Sequence, residues 1–464
     1  MAHPLPAVVL LFAASLAAWP QPASGPLRVS PANPHWFIDG SGRAVLLAGS
    51  HVWQNLQDNG LLIPGATSNP PPAFDYPAYL DRLQKYGHNF FRLWRWETTK
   101  WTDNYTERQV KYCRPHPWPR TGPGLAADGL PRFDLTRFDD QYFARLRDRV
   151  QAAGRRGMHV AVMLFEGWEL QFSDAWLNHP FHAPNNVNGL EADLDGDGRG
   201  LEFNALHDSP ASVKVLEFQH AYVRKVIDTV NDLDNVLYEI ANEAHAGSTA
   251  WQYAMIRFIK DYESGKPKQH PVGMTFQYRG GSNQTLYDSP ADWISPNPGS
   301  AQESYRQNPC AGCTTKVVVN DTDHLWGHTG GDNLWVWKSF TRGLNVLFME
   351  EMLPSPTWQD SARQAMGQIR RYAARMNLAA MRPENALSAT AFCLAARGSE
   401  YLIFQHDKGE FTLDLKDAPG EFAAEWLNIN ADQVLPAAPV AGGAVRTFTT
   451  PFPGPAALYL RRVR

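Results

Sequence analysis

A short apolar run that ends in a cluster of polar and aromatic residues recurs along this chain, and the repetition restricts the folds open to it. Ala44-Val-Leu-Leu-Ala48 leads into Gly49-Ser-His-Val-Trp-Gln-Asn-Leu-Gln57, and Asn89-Phe-Phe-Arg-Leu-Trp94 leads into Arg95-Trp96-Glu97. His159-Val-Ala-Val-Met-Leu-Phe165 is followed by Glu166-Gly-Trp-Glu169, and Asn235-Val-Leu-Tyr-Glu-Ile-Ala241 by Asn242-Glu243. Weaker runs continue the order at Pro271–Thr275, Asp292–Ser295, Lys316–Val319 and Asn345–Glu350. Apolar runs of this length suit parallel strands covered on both faces. Helical material lies between several of them, at Pro77–Tyr86, Arg137–Gly154, Ser212–Val230 and Thr249–Tyr262; Phe138, Tyr142, Leu146 and Val150 trace one apolar helical stripe. Eight alternating units favour a closed (β/α)8 TIM barrel over an open doubly wound sheet.

The chain's 464 residues exceed one such barrel. Thr357–Met381 reads as the closing helix, ended before Pro383. Beyond Leu387 the period shifts toward strands, at Thr390–Cys393, Tyr401–Phe404, Phe411–Leu415, Phe422–Trp426, Val445–Thr449 and Ala457–Leu460. Strands punctuated by Gly and Pro imply a small antiparallel β-sandwich, suited to covering apolar barrel surface. At the other end, Val8–Ala18 is apolar but far shorter than the roughly 20 residues of a membrane span, and a polar, Pro-containing stretch follows. The expected division is a signal peptide over 1–25, a barrel with N-terminal strands over 26–384, and a sandwich over 385–464. The leader predicts a secreted or periplasmic product without stable membrane insertion. With 43 Lys+Arg against 47 Asp+Glu, the net charge of -4 gives no basis for nucleic acid or an anionic membrane as partner. Export makes disulfides possible among Cys113, Cys310, Cys313 and Cys393, and Cys310-Ala-Gly-Cys313 could close a tight loop.

The sharpest chemical signal is Asn242-Glu243, because a buried strand that ends there delivers an ionisable carboxyl to the rim where barrels keep their active sites. Asn242 could hydrogen-bond a substrate hydroxyl. Together with Leu47-Ala-Gly-Ser-His-Val-Trp53, Asn89-Phe-Phe-Arg92 and the terminal strand pattern, this resembles the clan of retaining (β/α)8-barrel glycoside hydrolases that contains the family 5 cellulases. The likeness covers residues 30–460, and within the clan it points to bacterial DUF4038-like hydrolases with a C-terminal sandwich. It implies Glu243 as general acid/base and Arg92 as the residue that orients the nucleophile. The activity it implies is hydrolysis of an O-glycosidic bond in a plant or microbial polysaccharide or oligosaccharide.

A retaining mechanism needs a second carboxylate about 5–5.5 Å from the first. The clan places a Glu at the end of strand seven. Here Lys316-Val-Val-Val-Asn-Asp-Thr-Asp-His324 offers Asp321 and Asp323 instead. The two share a face on an extended strand, and Asp323, nearer the rim, is the preferred nucleophile. Asp321, and Glu350 or Glu351 after strand eight, are the alternatives. Other strand-end residues are candidate subsites for sugar stacking and hydroxyl recognition: His51, Trp53 and Gln54; Trp94, Trp96 and Glu97; Glu166, Trp168 and Glu169; His324 and Trp326. Two further readings fit the same residues, a noncatalytic carbohydrate-binding protein on a barrel scaffold and a transglycosylase.

No cofactor is expected for the chemistry. A structural calcium ion is suggested by Asp193-Leu-Asp195-Gly-Asp197-Gly198, whose alternating carboxylates on a turning backbone resemble the start of a calcium loop. Asn204 stands where such a loop ends in Glu, with Glu202 nearby.

Overall fold

The computed structural model describes residues 23–463 except 62–70, 103–109, 173, 301–303, 328–329, 351–352 and 354–358. Most of the leader expected over 1–25, the candidate Glu351 and the start of the expected closing helix lie outside the described residues.

The recurrent runs form one eight-stranded parallel sheet: Ala48–His51, Phe90–Leu93, His159–Glu166, Val236–Asn242, Val272–Thr275, Trp293–Ser295, Val317–Asp321 and Asn345–Met349, here strands one to eight. Each pairs with its neighbour in sequence from two to eight, and eight pairs with one. Between one and two, the Asn89 N–H donates to the Ala48 carbonyl (2.9 Å) and the Ala48 N–H to Asn89 Oδ1 (3.0 Å), closing the barrel. Gly49 permits this seam, since a Cβ there would lie 2.0 Å from the Phe90 carbonyl oxygen.

Strand one begins later than the sequence suggests. Ala44–Val45 pairs with Phe37–Ile38 in a three-stranded antiparallel sheet with Arg28–Val29, and barrel pairing starts only around Leu47. The polar residues thought to follow the strand are therefore the strand itself, and His51 is its last residue. Leu27 and Phe37 pack with Leu47, Phe90, Leu237 and Leu347 to plug the N-terminal end of the barrel. Above this plug the period of two carries polar side chains inward: Arg92 above Phe90, Glu239 above Leu237, Asp321 above Val319.

Eight helices flank the strands among the described residues: α1 (Tyr76–Lys85), α2 (Asp140–Gly154), α3 (Pro210–Val230), α4 (Thr249–Ser264), α5 (Asn283–Asp288), α6 (Thr322–Trp326), α7 (Asn333–Thr341) and α8 (Asp360–Arg375). Asp139 caps α2 by accepting from the Gln141 and Tyr142 N–H groups, and Tyr142, Leu146 and Val150 face the core, with Phe138 just outside the helix. Ser209 and Pro210 start α3 in the same way. Between strands six and seven the described residues form no helix; this connection carries a Cys310–Cys313 disulfide, while Cys113 and Cys393 are free and buried. No helix among the described residues is long and apolar enough to cross a membrane.

The C-terminal sandwich sets a six-stranded antiparallel sheet against the pair Glu410–Asp414 and Val445–Thr449. Phe411 and Leu413 of that pair pack on Ile403, Trp426 and Leu458. The edge strand Gln433–Ala441 escapes the sequence reading because it is largely exposed and carries Pro436 and Pro439, as an edge tolerates. On the other face, Phe404 stacks on Trp337 of α7 and the Ile429 carbonyl accepts from Gln368 of α8 (2.8 Å). The result is a TIM barrel followed by a small antiparallel sandwich that covers two of its helices.

Candidate active site

Glu243 and Asp323 line one cleft of about 640 Å3 at the C-terminal ends of the strands. A second cavity of about 430 Å3 lies at the opposite, plugged end, with Asp39 as the one carboxylate in its wall among the described residues. The pairing of acids singles out the first.

Glu243 follows the last residue of strand four with φ +42°, left-handed backbone that costs a non-glycine residue on the order of 1–3 kcal/mol. Gln171 holds it there by donating from Nε2 to the Glu243 carbonyl at 2.8 Å. Gly167 makes room for the turn, because a Cβ there would come 2.4 Å from the Ala244 Cα. Asp323 reaches the rim differently. Strand seven ends at Asp321, whose carboxylate caps α6 by accepting from the Asp323 N–H (3.1 Å), and this turn carries Asp323 forward into the cleft. An Asp one methylene shorter than Glu is thus advanced by its backbone.

Arg92 binds this group together from beneath. Its Nε and Nη2 donate to Glu239 (2.7 and 2.6 Å), its Nη1 to Asp323 (2.7 Å) and Asp321 (3.2 Å), and Nη2 also to Asn242 Oδ1 (2.6 Å). His51 Nε2 lies 3.4 Å from the other Asp321 oxygen, and its ring stacks on Trp94. His324 bridges Ser295 (2.6 Å) and Asn242 (3.3 Å).

One guanidinium among so many carboxyls separates their proton affinities. Burial works against the charge on Asp321, but His51 and Arg92 outweigh it and hold this carboxyl well below the usual range. Burial raises Asp323 to about 6, against the pull of Arg92. Burial and then the Asp323 charge push Glu243 well above the ordinary carboxylate range. Burial and Arg92 lower His324 to about 3, so it is neutral. In the window above about pH 6 the cleft therefore presents a carboxylate at Asp323 facing a protonated Glu243.

Of the residues named from sequence, Trp53, Trp94, Trp96, Trp168, Asn242, His324 and Trp326 share the cleft wall with the two acids. Trp53, Trp168 and Trp326 are half-buried and offer ring surface; Trp94 and Trp96 are almost wholly buried. His51, Arg92 and Asp321 lie beneath the cleft floor. Gln54, Glu97, Glu166 and Glu350 are not in the wall. Gln54 braces its own loop through the Asn59 carbonyl and the Leu353 N–H. Glu97 accepts from the Glu166 N–H (2.7 Å), and Glu166 from Asn242 Nδ2 (3.1 Å) and the Trp168 and Glu169 N–H groups, so both fix loops. Glu350 points outward to Ser50, Arg82 and Arg363. Sequence reading missed Trp101, Phe276, Tyr278 and Arg306 in the wall. Phe276 and Tyr278 follow strand five by the same rule that marked the earlier strand ends; Trp101 arrives on a three-stranded excursion, Asp58–Leu61, Lys100–Thr102 and Val110–Arg114, with no local signal.

Of the calcium candidates, Asp193 and Asp195 lie close to Glu202, each offering an oxygen within 4.8 Å of the others, whereas Asp197 is outside that group and accepts from the Arg199 N–H.

Residues 84–278 match the family described as a domain of unknown function, DUF6298. No curated protein matches the chain. Among solved structures, a glycoside hydrolase family 5 protein from Bacteroides vulgatus ATCC 8482 is similar with a TM-score of 0.62 at 12% identity, over 94% of each chain. A protein described as a glycoside hydrolase is similar with a TM-score of 0.59 at 11% identity, over 94% of this chain and 97% of that one. At these identities the likeness establishes the fold.

Proposed function

We propose that this chain is a retaining glycoside hydrolase acting on an O-glycosidic bond of a plant or microbial polysaccharide or oligosaccharide, exported to the periplasm or medium. The observation that carries this reading is the presence of Glu243 and Asp323, with opposed proton affinities, in one tryptophan-walled cleft on the fold of known glycoside hydrolases. A sugar ring stacks on Trp53, Trp168 or Trp326 through its C–H face. Asp323 attacks the anomeric carbon while Glu243 donates its proton to the departing glycosidic oxygen, so the leaving group exits neutral and the sugar is esterified to Asp323. Glu243, now ionised, takes a proton from water, which displaces Asp323 and restores both starting states. Arg92 and Asp321 act as positioning residues: Arg92 holds the Asp323 carboxylate and favours its ionised form, and Asp321 fixes the Asp323 backbone. The Cys310–Cys313 disulfide suits an oxidising compartment and supports export.

The test is incubation with a panel of polysaccharides and aryl glycosides, with reducing ends measured and the first-formed anomer read by NMR. Release of reducing sugar with retained configuration is expected. Saturable binding without release, transfer to sugar acceptors in place of water, or an inverted product each overturns the assignment.

A further inference from the structure

The loop between strand three and α3 contains Asp193, Asp195 and Glu202 with one oxygen of each within 4.8 Å of the others, and none of the three has a cationic side chain paired to it among the described residues. Asp193 Oδ1 and Glu202 Oε2 are shut off from solvent with no hydrogen-bond partner. Asn204, the twelfth residue counted from Asp193, is 1% exposed, and neither its amide oxygen nor its amide nitrogen has a partner. Asp193 and Glu202 are half-buried and Asp195 exposed, and carboxylate oxygens withdrawn from water without a partner are unfavourable unless they are paired or coordinate a metal.

The chemistry of the set selects the ion. All the donors of the cluster are hard carboxylate oxygens, with no thiol or imidazole among them, which disfavours zinc and its neighbours. Gly196 and Gly198 take left-handed φ values of +72° and +82°, letting the backbone wrap between the aspartates as calcium loops do. We propose that Asp193, Asp195 and Glu202 bind a calcium ion, with Asn204 as the uncharged donor of the loop. Glu202, two residues earlier than a full EF-hand loop would place its final acid, serves in place of Asp197.

The ion would fasten a segment that touches the strand-four end. Glu191 accepts from Trp176 Nε1 and from the Asp193 N–H, both at 2.9 Å, at one end of the loop. At the other, the Leu201 carbonyl accepts from His245 Nε2 (3.0 Å), two residues beyond Glu243. This proposal does not depend on the hydrolase reading.

It is tested on the full chain stripped by chelator, titrated calorimetrically with calcium chloride and, separately, magnesium chloride, with thermal unfolding followed in parallel. One calcium per chain is expected, with Kd tighter than about 10⁻³ M and a melting temperature that rises with calcium. Asp193→Asn combined with Asp195→Asn should weaken binding at least about tenfold and abolish the calcium-dependent rise, with the far-UV spectrum unchanged. Should that double variant not fold, Glu202→Gln carries the same test, with weakened binding expected. Wild-type protein that shows neither heat nor a melting shift at millimolar calcium, variants that bind as tightly as wild type, or magnesium binding as tight as calcium would each overturn the site.

Discussion

Arg92 Nη1 donates to Asp323 Oδ2 at 2.7 Å while Nε and Nη2 of the same guanidinium both bind Glu239, so the residue that aims Asp323 is itself locked by a carboxylate deeper in the barrel. Burial disfavours the charge on Arg92, but Glu239 and the two aspartates hold it firmly protonated. Removing one partner of a buried charge network leaves the others uncompensated, at a cost of about 3–5 kcal/mol. Arg92→Met should lose about that much stability in chemical denaturation. Arg92→Lys keeps a charge but not the planar fork, and should fold with kcat/KM reduced roughly 100-fold through misplacement of Asp323. Wild-type kcat/KM in a folded Arg92→Lys protein would remove Arg92 from the positioning role.

The pH dependence of kcat/KM follows from the two affinities. Asp323 must be ionised to attack, so activity should rise through its value of about 6 and fall again at higher pH as Glu243 loses the proton it donates. The two carboxyls interact, so the limbs belong to the pair. Glu243→Gln should remove the alkaline limb measured on an activated aryl glycoside and leave the acid limb close to its wild-type position, because Glu243 is already neutral while Asp323 ionises. An acid limb near the ordinary carboxylate range of about 4 in the wild-type enzyme would contradict the assignment.

Glu350 separates structural from chemical carboxylates. It lies in an ion pair with Arg363 (2.9 Å), away from the cleft, though a sequence reading could make it the nucleophile. Glu350→Gln should cost about 3–5 kcal/mol in denaturant unfolding, as for other broken buried pairs, while kcat per folded molecule stays within a few-fold of wild type. A stable Glu350→Gln protein without activity would transfer the nucleophile to strand eight.

Legibility followed periodicity. Strands three and four were readable almost to the residue because their long apolar runs end abruptly at Glu166 and Asn242, and the barrel rule then turned Asn242-Glu243 into a rim carboxyl. Strand one was displaced because Ala44–Val45 and Ala48–His51 belong to different sheets, and nothing local in a continuous apolar run marks where one sheet yields to another. In the site, residue type did not reveal direction. Glu97, Glu166 and Glu350 stand at strand ends as Glu243 does, yet their side chains turn to backbone N–H groups or to Arg363. Glu239 shows the reverse case, an interior carboxylate hidden within an apolar strand, recoverable only from its even spacing with Leu237. Trp101 comes from a sheet excursion whose placement depends on tertiary pairing alone.

The division of labour between Glu243 and Asp323 gives the most discriminating experiment, because their removal should fail in different ways. Asp323→Ala lacks the group that attacks the anomeric carbon, so no glycosyl intermediate forms. Glu243→Ala keeps the nucleophile, and substrates with very good leaving groups, which need little protonation, should still react to give the intermediate; its hydrolysis then slows for want of a base. Added azide should intercept that intermediate and give a glycosyl azide of the original anomeric configuration, since two displacements have occurred at the carbon. In Asp323→Ala, azide enters the space of the missing carboxylate and attacks directly, a single displacement that yields the opposite configuration. Asp321, fully buried and bound to His51 and Arg92, should behave as neither: Asp321→Asn should lower kcat by roughly 100-fold by disturbing Asp323, with no configuration-inverting rescue by azide. An inverted azide product from Asp321→Ala, alongside near-wild-type hydrolysis by Asp323→Ala, would exchange the two aspartates.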